Sequence, residues 1–591
     1  MQTTELLTYL EQEKELVEAD IRQIDAMGLP ERVQRGLAVV NLRPLRQEGV
    51  EVLLACEENL TRWKPGDWVE ISLNGRWSTA TIAENGFSEI LVLLHAYFDV
   101  RPATQIVLQS NKSQLLDPII QSVRRLEPGA PGAAFLDLLW GERKITPQQF
   151  GGLELSEEQL TDVAGQLNDS QRRVVRRGTR RPSLLAVQGP PGTGKTHVLA
   201  LTAQQLARKK QRIVVLAHTH QAVNNCLNAI RALDSQLSVF KIGEVLKAEG
   251  LDESIPSLPY AEFQRLYKQK KRPGFCVIGM SYYAALVHLG LRTTGFAPTV
   301  VLVDEAGQIP LTYGLAVGSL GAGSVMLFGD DAQMPPIYHP GLVSDPLSRS
   351  LFEQVRQMQP EAVVALDTTY RLNAPLSNLI GTLYYRDADT LTSFLKSAPA
   401  AQGHRLRLAL PATIPAPIAR VLRPEASLIW VNNATEEPCE QENLPEAQAI
   451  AELVAISLAA GLPAREIAVV APFRRQVLAI RQALRLRLDA VPKELIVDTV
   501  ERVQGASVEL ILVSFAANSP EYLRLVRRFL LLPNRLNVAL SRARAKAVFF
   551  VSDELLELPP ADALRSQLAY LRESSDEYLL LSELRYLSNP R

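Results

Sequence analysis

The first part of the chain shows two different spacings of its apolar residues. A helical spacing near the N-terminus is carried by Leu6, Leu10, Val17, Ile21 and Ile24. We expect this helix to end at Pro30, because proline does not continue a helix. From about residue 36 to 110 apolar and polar residues alternate, and the dipeptide Asn74-Gly75 indicates a hairpin turn. A second helical stretch follows at about 113–126, so the pattern predicts helices on either side of a small β-barrel or sheet.

From about residue 165 onward, short apolar runs alternate with longer helical segments. Runs of this kind are typical of strands that are buried on both faces of a parallel sheet. The clearest are 184–187, 213–216, 300–303, 325–328, 467–470, 511–513 and 548–551. Between 227 and 272 the alternation lapses into polar sequence, which predicts a short helical insertion in the first α/β lobe. The proline-rich stretch 399–424 is interpreted as a loop within the second lobe.

The composition is that of a globular α/β protein of several domains. The chain has 591 residues, of which 47% are hydrophobic and 21% charged, so we expect three or four domains. No run reaches the roughly 18 apolar residues that cross a bilayer, and the acidic N-terminus is unlike a secretory signal. We therefore expect no membrane segment and a cytoplasmic location. The four cysteines form no CxxC pair, which argues against a zinc site or a disulfide framework.

The strongest chemical signal is the segment GPPGTGKT, which follows an apolar strand and precedes a helical segment. Glycines let backbone N–H groups close around phosphates at a helix N-terminus, where the helix dipole favours negative charge. Lys195 is expected to reach the β- and γ-phosphates, and the Thr196 hydroxyl to bind Mg²⁺. The residues predicted to hold the nucleotide here are Gly189, Pro191, Gly192, Thr193, Gly194, Lys195 and Thr196.

Two later strand ends carry polar residues that complete this chemistry. In VLVDEAGQ an apolar strand ends in adjacent carboxylates, of which Asp304 is predicted to hold Mg²⁺ and Glu305 to accept the proton of the attacking water. In LFGDDAQMPP, Gln333 is placed to contact the γ-phosphate or the attacking water. A strand that ends in Asp-Glu is often a solvated loop, but downstream of such a glycine loop the pair predicts catalysis.

Taken together, six segments resemble the ordered motifs of superfamily 1 helicases, and DEAGQ and NVALSRA are similar to its subgroup 1B. The segments are GPPGTGKT, DEAGQ, GDDAQMPP, TTYRLN, VDTVERVQG and NRLNVALSRAR. Relatives in that subgroup include the nonsense-mediated-decay helicase and the immunoglobulin-switch-region binding helicase. The resemblance covers about residues 165–552. It implies an α/β fold of two RecA-like P-loop NTPase lobes, with an N-terminal helical stalk and a small β-barrel.

The resemblance also implies domain bounds. Residues 1–150 are expected to form the stalk and barrel, and 151–365 the first lobe with its helical insertion. Residues 366–591 are expected to form the second lobe with a C-terminal helical tail.

Further nucleotide contacts follow from the same resemblance. Gln171 in LNDSQ is similar to the glutamine that reads adenine, since an amide presents a donor and an acceptor together. Tyr370 is similar to the aromatic residue that stacks on the base. Arg371 and Arg542 are similar to the arginines that reach the γ-phosphate from the second lobe. The expected cofactors are ATP and Mg²⁺.

One motif departs from the family pattern. Gln504 and Gly505 match the family's QG, which is often followed by a glutamate that binds the ribose. Here Ser507 stands at the position of that glutamate. Its hydroxyl still hydrogen-bonds, but the sequence leaves sugar selection open.

The resemblance assigns another set of residues to contacts with a nucleic-acid strand. These are Thr219, Ser281, Pro335, Pro472, Arg474 and Thr499. In AHTHQAVNN the chain has His220 and Asn224 where the family commonly has asparagine and aspartate, and Thr219 is the expected phosphate contact. With a net charge of −1, such contacts must come from a local groove rather than from a basic surface.

The leading hypothesis is an ATP-dependent helicase or translocase on single-stranded DNA or RNA, with the 5′→3′ direction that accompanies subgroup 1B. Its lobes would close around ATP, because Arg371 and Arg542 gain a phosphate partner in the closed state. The alternative is a nucleic-acid-stimulated ATPase that acts as a clamp or ribonucleoprotein remodeller without processive unwinding. An inactive scaffold is disfavoured, because all the catalytic residue types are present. We expect a monomer, and the sequence leaves the choice between RNA and DNA open.

Overall fold

The structure is a computed structural model, and its described part forms two compact units. Described are residues 2–57, 59–61, 63, 67–86, 88–110, 116–124, 133–145, 167–243, 248–268, 276–287, 296–387, 390–503, 505–557 and 563–585. Unit 1 consists of Met1–Gln188, Thr196–Gly329 and Pro336–Val364. Unit 2 consists of Gly189–Lys195, Asp330–Pro335 and Ala365–Arg591. The predicted boundary at 150/151 lies outside the described residues, so the predicted domain bounds stay predictions.

The described elements within residues 2–145 are four helices and six strands. The helices are α1 (Gln2–Ala26), α2 (Leu29–Gln34), α3 (Leu116–Arg124) and α4 (Ala133–Leu139). The strands are β1 (Ala38–Glu48), β2 (Glu51–Ala55), β3 (Trp68–Leu73), β4 (Arg76–Asn85), β5 (Glu89–Leu94) and β6 (Ile106–Ser110).

The six strands close into an antiparallel barrel in the order β1-β2-β5-β4-β3-β6, which confirms the predicted barrel. The period-two pattern of β3 points Val69, Ile71 and Leu73 into the barrel core. The predicted turn at Asn74-Gly75 joins β3 to β4. The prediction that the first helix ends at Pro30 is wrong: α1 ends at Ala26, and Pro30 lies in the first turn of α2. Proline is tolerated there because the first helical N–H groups have no partner within the helix.

The rest of unit 1 is built on a second sheet. Its strands are β7 (Leu184–Gln188), β8 (Ile213–Ala217), β9 (Val239–Ile242), β10 (Ser257–Leu258), β11 (Val277–Ser281), β12 (Val300–Val303), β13 (Ser324–Gly329) and β14 (Val363–Ala365). The helices of this region are α5 (Asp169–Thr179), α6 (Lys195–Arg208), α7 (His220–Leu233), α8 (Tyr260–Lys268), α9 (Tyr282–Val287), α10 (Gly314–Ser319) and α11 (Leu351–Met358).

This sheet has the strand order β10-β9-β11-β8-β12-β13-β7-β14. Every pair from β10 to β7 is parallel, so the carboxyl ends of these strands lie along one edge. The predicted helical insertion at 227–272 is wrong in one respect. That stretch contains β9 and β10, which extend the sheet beyond β11, as well as α8. The two strands are short, and β9 contains a buried lysine, Lys241, so they lack the apolar run that identifies the others.

Unit 2 carries the second large sheet. Its strands are β17 (Leu428–Asn432), β18 (Ile467–Ala471), β19 (Ile496–Thr499), β20 (Val508–Ser514), β21 (Ala543–Val551) and β22 (Glu577–Leu580), and a separate pair is β15 (Thr368–Thr369) with β16 (Lys396–Ser397). The helices are α12 (Ala374–Tyr384), α13 (Pro399–Gln402), α14 (Ala416–Leu422), α15 (Leu444–Ala459), α16 (Arg474–Arg487), α17 (Pro520–Leu530), α18 (Pro533–Leu540), α19 (Ala563–Glu573) and α20 (Leu581–Arg585).

The sheet of unit 2 is parallel, in the order β19-β18-β20-β21-β17-β22. Trp430 on β17 is fully buried in this unit, and its Nε1 donates to Asp553. The proline-rich stretch predicted to be loop contains the short helices α13 and α14. With two parallel sheets, the antiparallel barrel and the N-terminal helices, the predicted fold class is confirmed. Among the described residues, no helix combines the length and the apolar character needed to cross a bilayer.

Candidate active site

The glycine-rich loop lies between β7 and α6, where the sequence predicts it. Gly192 and Gly194 have φ values of +73° and +81°, a region that side chains disfavour. A Cβ on Gly192 would lie 2.4 Å from the Arg371 Cβ, so a larger residue could not occupy this position without a shift. The loop is therefore folded for close approach of its backbone, as phosphate binding requires.

Within unit 2 the loop is held by the segment that carries Tyr370 and Arg371. The Tyr370 N–H donates to the Gly192 carbonyl over 2.8 Å, and the Thr369 hydroxyl donates to the Pro191 carbonyl over 2.8 Å. Tyr370 is 48% exposed, and its stacking on a base stays a prediction. These contacts place the predicted base-stacking residue beside the predicted phosphate loop.

Asp304 and Glu305 follow β12 at the carboxyl edge of the unit 1 sheet. Asp304 is 3% exposed, and its Oδ2 accepts a hydrogen bond from Cys226 Sγ over 3.1 Å. Glu305 adopts a left-handed backbone with φ +53°, which costs on the order of 1 kcal/mol for a residue with a side chain. Its Oε2 accepts from Gln308 Nε2 over 3.1 Å. A strained acidic residue at a strand end is the kind of position at which catalytic groups are found.

The residues predicted to hold Mg²⁺ fit that ion by their chemistry. Thr196 and Asp304 belong to unit 1 and follow β7 and β12, whose carboxyl ends share one edge of the sheet. A hydroxyl and a carboxylate are hard oxygen donors, and Mg²⁺ in phosphate-transfer sites takes its other ligands from phosphate and water. Among the described residues, no cluster of three or more His, Cys, Asp or Glu side chains is placed to hold a metal ion.

Gln333 sits in a buried polar network of unit 2 that sequence reasoning missed. Its Nε2 donates to Asp330 Oδ2, which also accepts from the Tyr385 hydroxyl over 2.6 Å. Tyr385 in turn accepts from Asn537 Nδ2 over 2.8 Å. Burial raises the pKa of Asp330 to about 7, although the Gln333 and Tyr385 hydrogen bonds and the charge of Lys195 act in the opposite direction. This network fixes the amide that the sequence assigns to the γ-phosphate.

Two asparagines of the helix α18 hydrogen-bond to the backbone of the loop that carries Gln333. Asn534 Nδ2 donates to the carbonyls of Asp331 and Gln333, and Asn537 Nδ2 donates to the carbonyl of Ala332 over 2.8 Å. Both asparagines belong to the NRLNVAL part of the last motif. The two asparagines therefore hold the backbone of residues 331–333 in place. The motif alone did not reveal this role.

Arg542 follows α18 and reaches the predicted γ-phosphate group Gln333. Its guanidinium is 2% exposed, and its Nη2 donates to Gln333 Oε1 over 3.3 Å. Nε donates to the Val538 carbonyl over 3.0 Å, and Nη1 to the Ala506 carbonyl over 3.4 Å. The second predicted arginine, Arg371, donates to the Ser541 carbonyl over 3.0 Å.

The electrostatics of Arg371 favour an anionic ligand. Burial, followed by the charge of Arg544, lowers the pKa of Arg371 to about 10. A guanidinium in this setting is stabilised by a phosphate oxygen, because opposite charge offsets its desolvation. Lys195, Gln333, Arg371 and Arg542 belong to unit 2, whereas the sequence assigned Lys195 and Gln333 to the first lobe.

Gln171 belongs to unit 1 and has a structural role in addition to its predicted one. It stands at the third position of α5, where its backbone N–H donates to Asn168 Oδ1 and its Oε1 accepts from the Asn168 N–H. This reciprocal capping box fixes the start of the helix. Contact with adenine stays a prediction, and the capping bond orients the amide that would make it.

The ribose motif is described in part. Gln504 lies outside the described residues. Gly505 is exposed with φ +90°, and the Ala506 carbonyl accepts from Arg542. The role of Ser507 at the ribose stays open.

The predicted strand contacts fall into two groups. Thr219 caps α7, its Oγ1 accepting from the Ala222 N–H over 3.1 Å. Ser281 ends β11 beside Ala217, the last residue of β8, so Thr219 and Ser281 follow neighbouring strand ends in unit 1. In unit 2, Thr499 ends β19 opposite Ala471 of β18, which precedes Pro472.

Arg474 is placed less favourably for its predicted role. It is 8% exposed, and its Nη1 lies 3.5 Å from Asp498 Oδ1. A buried guanidinium with a carboxylate partner has less to gain from a phosphate. This placement does not favour the predicted strand contact, whereas Pro335 is exposed as that role requires.

The raised pKa of Asp330 predicts a pH-dependent stability. Because its folded pKa of about 7 exceeds its ordinary 3.8, the carboxyl stabilises the fold fully below pH 3.8, and this contribution is lost as the pH rises through 7. The wild type should therefore lose stability relative to Asp330→Asn between pH 4.5 and 8, by up to about 4 kcal/mol at about 1.4 kcal/mol per pKa unit. Urea denaturation followed by circular dichroism measures this difference.

The comparison with Asp330→Asn isolates this carboxyl. Burial also raises the pKa of Glu446 to about 7, but Glu446 is present in both proteins and cancels. A stability difference that stays constant over this pH range would contradict an elevated pKa at Asp330.

The geometry defines a class of protein. Parallel sheets in both units, a glycine-rich loop between a buried strand and a helix, and a carboxylate pair at the end of another strand of that sheet are the features of a P-loop ATP hydrolase. Two family models, both described as AAA domain, match this chain at residues 166–373 and 347–554. The chain is an ATP hydrolase, and ATP is its nucleotide.

Curated proteins that are similar to this chain carry helicase names. The DNA replication ATP-dependent helicase/nuclease dna2 of Schizosaccharomyces pombe is 29% identical over 402 residues, covering 65% of this chain and 28% of that protein. The helicase/nuclease JHS1 of Arabidopsis thaliana is 25% identical, covering 67% and 29%. The helicase/nuclease DNA2 of Mus musculus is 26% identical, covering 69% and 39%. The chain thus spans between 28% and 39% of the length of these relatives.

One solved structure resembles this chain weakly. The crystal structure of Arterivirus nonstructural protein 10 (helicase) has a TM-score of 0.37 and 13% identity, covering 92% of this chain and 82% of that chain. At so low a score, the fold assignment depends on the strand orders described above.

Proposed function

We propose that this protein is an ATP-dependent helicase or translocase that moves 5′→3′ along single-stranded nucleic acid, with Mg²⁺ as the metal. The observation that carries the proposal is the loop Asp330–Pro335 in unit 2. Gln333, bonded to Arg542, belongs to the predicted phosphate contacts, and Pro335, two residues later, belongs to the predicted strand contacts. Gln333 and Pro335 are two residues apart, so a movement of Gln333 when the γ-phosphate is lost would displace the strand contact through a short stretch of backbone.

The rigidity of that loop supports this coupling. Its carbonyls at 331, 332 and 333 accept hydrogen bonds from α18, and Asp330 is bonded to Tyr385. A loop held at so many points moves as one body rather than by local adjustment. Loss of the γ-phosphate contact would then shift Pro335 together with Gln333.

The roles proposed for the nucleotide residues follow from the resemblance to the helicase motifs. Lys195 would neutralise the β- and γ-phosphates, Thr196 and Asp304 would hold Mg²⁺, and Glu305 would accept the proton of the attacking water. Bound Mg²⁺ would neutralise developing charge on the phosphate oxygens. Arg371 and Arg542 stabilise the γ-phosphate as its bond to the leaving group breaks.

DNA is the proposed strand, because the similar curated proteins are DNA replication helicases by name. For this chain we propose the helicase activity that those names give and not the nuclease activity, since the chain matches only a minority of the length of each relative. The 5′→3′ direction rests on the resemblance to subgroup 1B.

Polarity gives the sharpest test of this proposal. A DNA duplex with a 5′ single-stranded tail should open at least tenfold faster than the same duplex with a 3′ tail, in single-turnover unwinding with ATP and Mg²⁺. The same substrates with RNA tails measure strand preference, and ATPase on the bare strands runs in parallel. Opening of the 3′-tailed duplex alone would overturn the polarity. Strand-stimulated ATPase without any unwinding would favour the clamp or remodeller instead.

A further inference from the structure

A buried thiol lies against the carboxylate that the proposed function assigns to Mg²⁺. Cys226 on α7 has no exposed surface, and its Sγ donates to Asp304 Oδ2 over 3.1 Å. Both residues belong to unit 1. A buried cysteine is ordinarily a small apolar side chain packed among others, so a thiol placed on a buried carboxylate calls for its own explanation.

The position of this thiol is fixed by close packing of α7 on the sheet. A Cβ on Gly279 of β11 would lie 2.6 Å from Leu227 and 2.8 Å from Val223. These two α7 residues flank Cys226 in sequence and are fully buried. The absence of a side chain at Gly279 therefore lets α7 approach the sheet closely. This close packing fixes the distance between Cys226 and the end of β12.

The carboxylate is fixed from the strand side as well. The Asp304 backbone N–H donates to the Leu216 carbonyl of β8 over 2.7 Å, which continues the sheet bonding one residue beyond β12. With the backbone held, the remaining freedom of Asp304 is rotation of its side chain. The Cys226 thiol restrains that rotation by engaging one of the two carboxylate oxygens.

We propose that Cys226 is a positioning residue for Asp304, which orients the carboxylate for Mg²⁺ in the nucleotide site. The proposal rests on the proposed function, because it takes Asp304 to be a metal ligand. Partners that hydrogen-bond to a metal ligand fix its direction, and their loss typically lowers metal affinity by 10- to 100-fold. A thiol is a weak donor, so the lower end of that range applies here.

The proposal predicts different outcomes for two substitutions of similar size. Cys226→Ala removes the donor and should weaken metal binding by about tenfold. Cys226→Ser keeps a donor and should stay within about threefold of the wild type. Both remove the sulfur, so a difference between them reports the hydrogen bond rather than packing. Cys276→Ala is the matched control, because Cys276 is a second buried cysteine of unit 1 that packs in its apolar core.

The experiment measures metal affinity without turnover. Mn²⁺ stands in for Mg²⁺, and its binding to the full chain with ADP is followed by the loss of the electron paramagnetic resonance signal of the aqueous ion beyond the loss that the same ADP causes without protein. The expected order of affinity is wild type and Cys276→Ala, then Cys226→Ser, then Cys226→Ala. Thermal unfolding of each variant confirms that it is folded.

The outcomes separate this proposal from the proposed function. If the wild type binds no Mn²⁺ in the presence of ADP, the assignment of the metal site itself is wrong. If the wild type binds and Cys226→Ala binds equally well, or if Cys226→Ser is as weak as Cys226→Ala, the positioning role of Cys226 is overturned while the ATP site stands.

Discussion

Replacing Arg542 by alanine is expected to slow strand-stimulated ATP hydrolysis by about 10³- to 10⁵-fold, the range that arginines reaching a transferred phosphoryl group contribute elsewhere. The guanidinium is buried and bonded to Gln333 Oε1 over 3.3 Å, so its loss removes a phosphate donor and also one of the hydrogen bonds that hold the Gln333 amide. Nucleotide affinity should fall far less, because the phosphate loop and Gln171 supply most of the binding. ATPase rate and nucleotide affinity are measured side by side.

Two further variants sharpen this experiment. Arg542→Lys should restore little activity, since an ammonium lacks the planar fork that donates to Gln333 and to a phosphate together. Arg572→Ala is the control, because this arginine stacks on Tyr578 at 3.8 Å in the same unit. Equal losses of rate and affinity in Arg542→Ala, or an unchanged rate, would show that Arg542 does not act on the γ-phosphate.

Glu305→Gln is expected to lower ATP turnover by about 10²- to 10⁴-fold, the usual contribution of a general base. The amide is nearly isosteric and keeps a partner in Gln308, but it cannot accept the proton of the attacking water. Nucleotide and strand affinity should therefore persist, and the variant should hold ATP and the strand together. Filter binding of ATP and of a single strand to the same sample measures this.

Lys195→Ala provides the contrast. It should abolish turnover as well, but through loss of the charge that holds the β- and γ-phosphates, so nucleotide affinity should fall with it. If Glu305→Gln retained more than a tenth of wild-type turnover on a single strand, or lost nucleotide affinity as severely as Lys195→Ala, the assignment of Glu305 as the base would fail.

Much of the fold could be predicted because its signals are local. Each run such as 184–187 or 300–303 lies in a strand covered on both faces, so every residue in it is apolar and the run stands out. The strands β9 and β10 were not predicted, because they are short and partly polar. Pro30 misled because proline both ends and begins helices, and the sequence alone does not say which end is meant.

Some residues of the candidate site have a local sequence signal, and others have none. The phosphate loop, Asp304 and Glu305 are encoded in short motifs whose function depends on spacing within a few residues. Tyr385 and Cys226 carry no such signal, because their partners Asp330 and Asp304 are 55 and 78 residues away in sequence. A tyrosine at the end of an apolar helix is ordinarily part of a core. Its hydrogen bond to Asp330 becomes visible when the fold brings the two together.

The distribution of tryptophan gives each unit its own optical signal. The five tryptophans are Trp63, Trp68, Trp77, Trp140 and Trp430. Unit 2 contains Trp430 alone, buried and hydrogen-bonded to Asp553, whereas Trp68 and Trp77 are about half exposed on the barrel. Emission from Trp68 and Trp77 should therefore be red-shifted and open to quenching by acrylamide, whereas emission from Trp430 of unit 2, like that of Trp63 in the barrel core, should be blue-shifted and protected. A Trp430→Phe variant separates the two contributions, so the melting of each unit can be followed in the intact chain without an added dye.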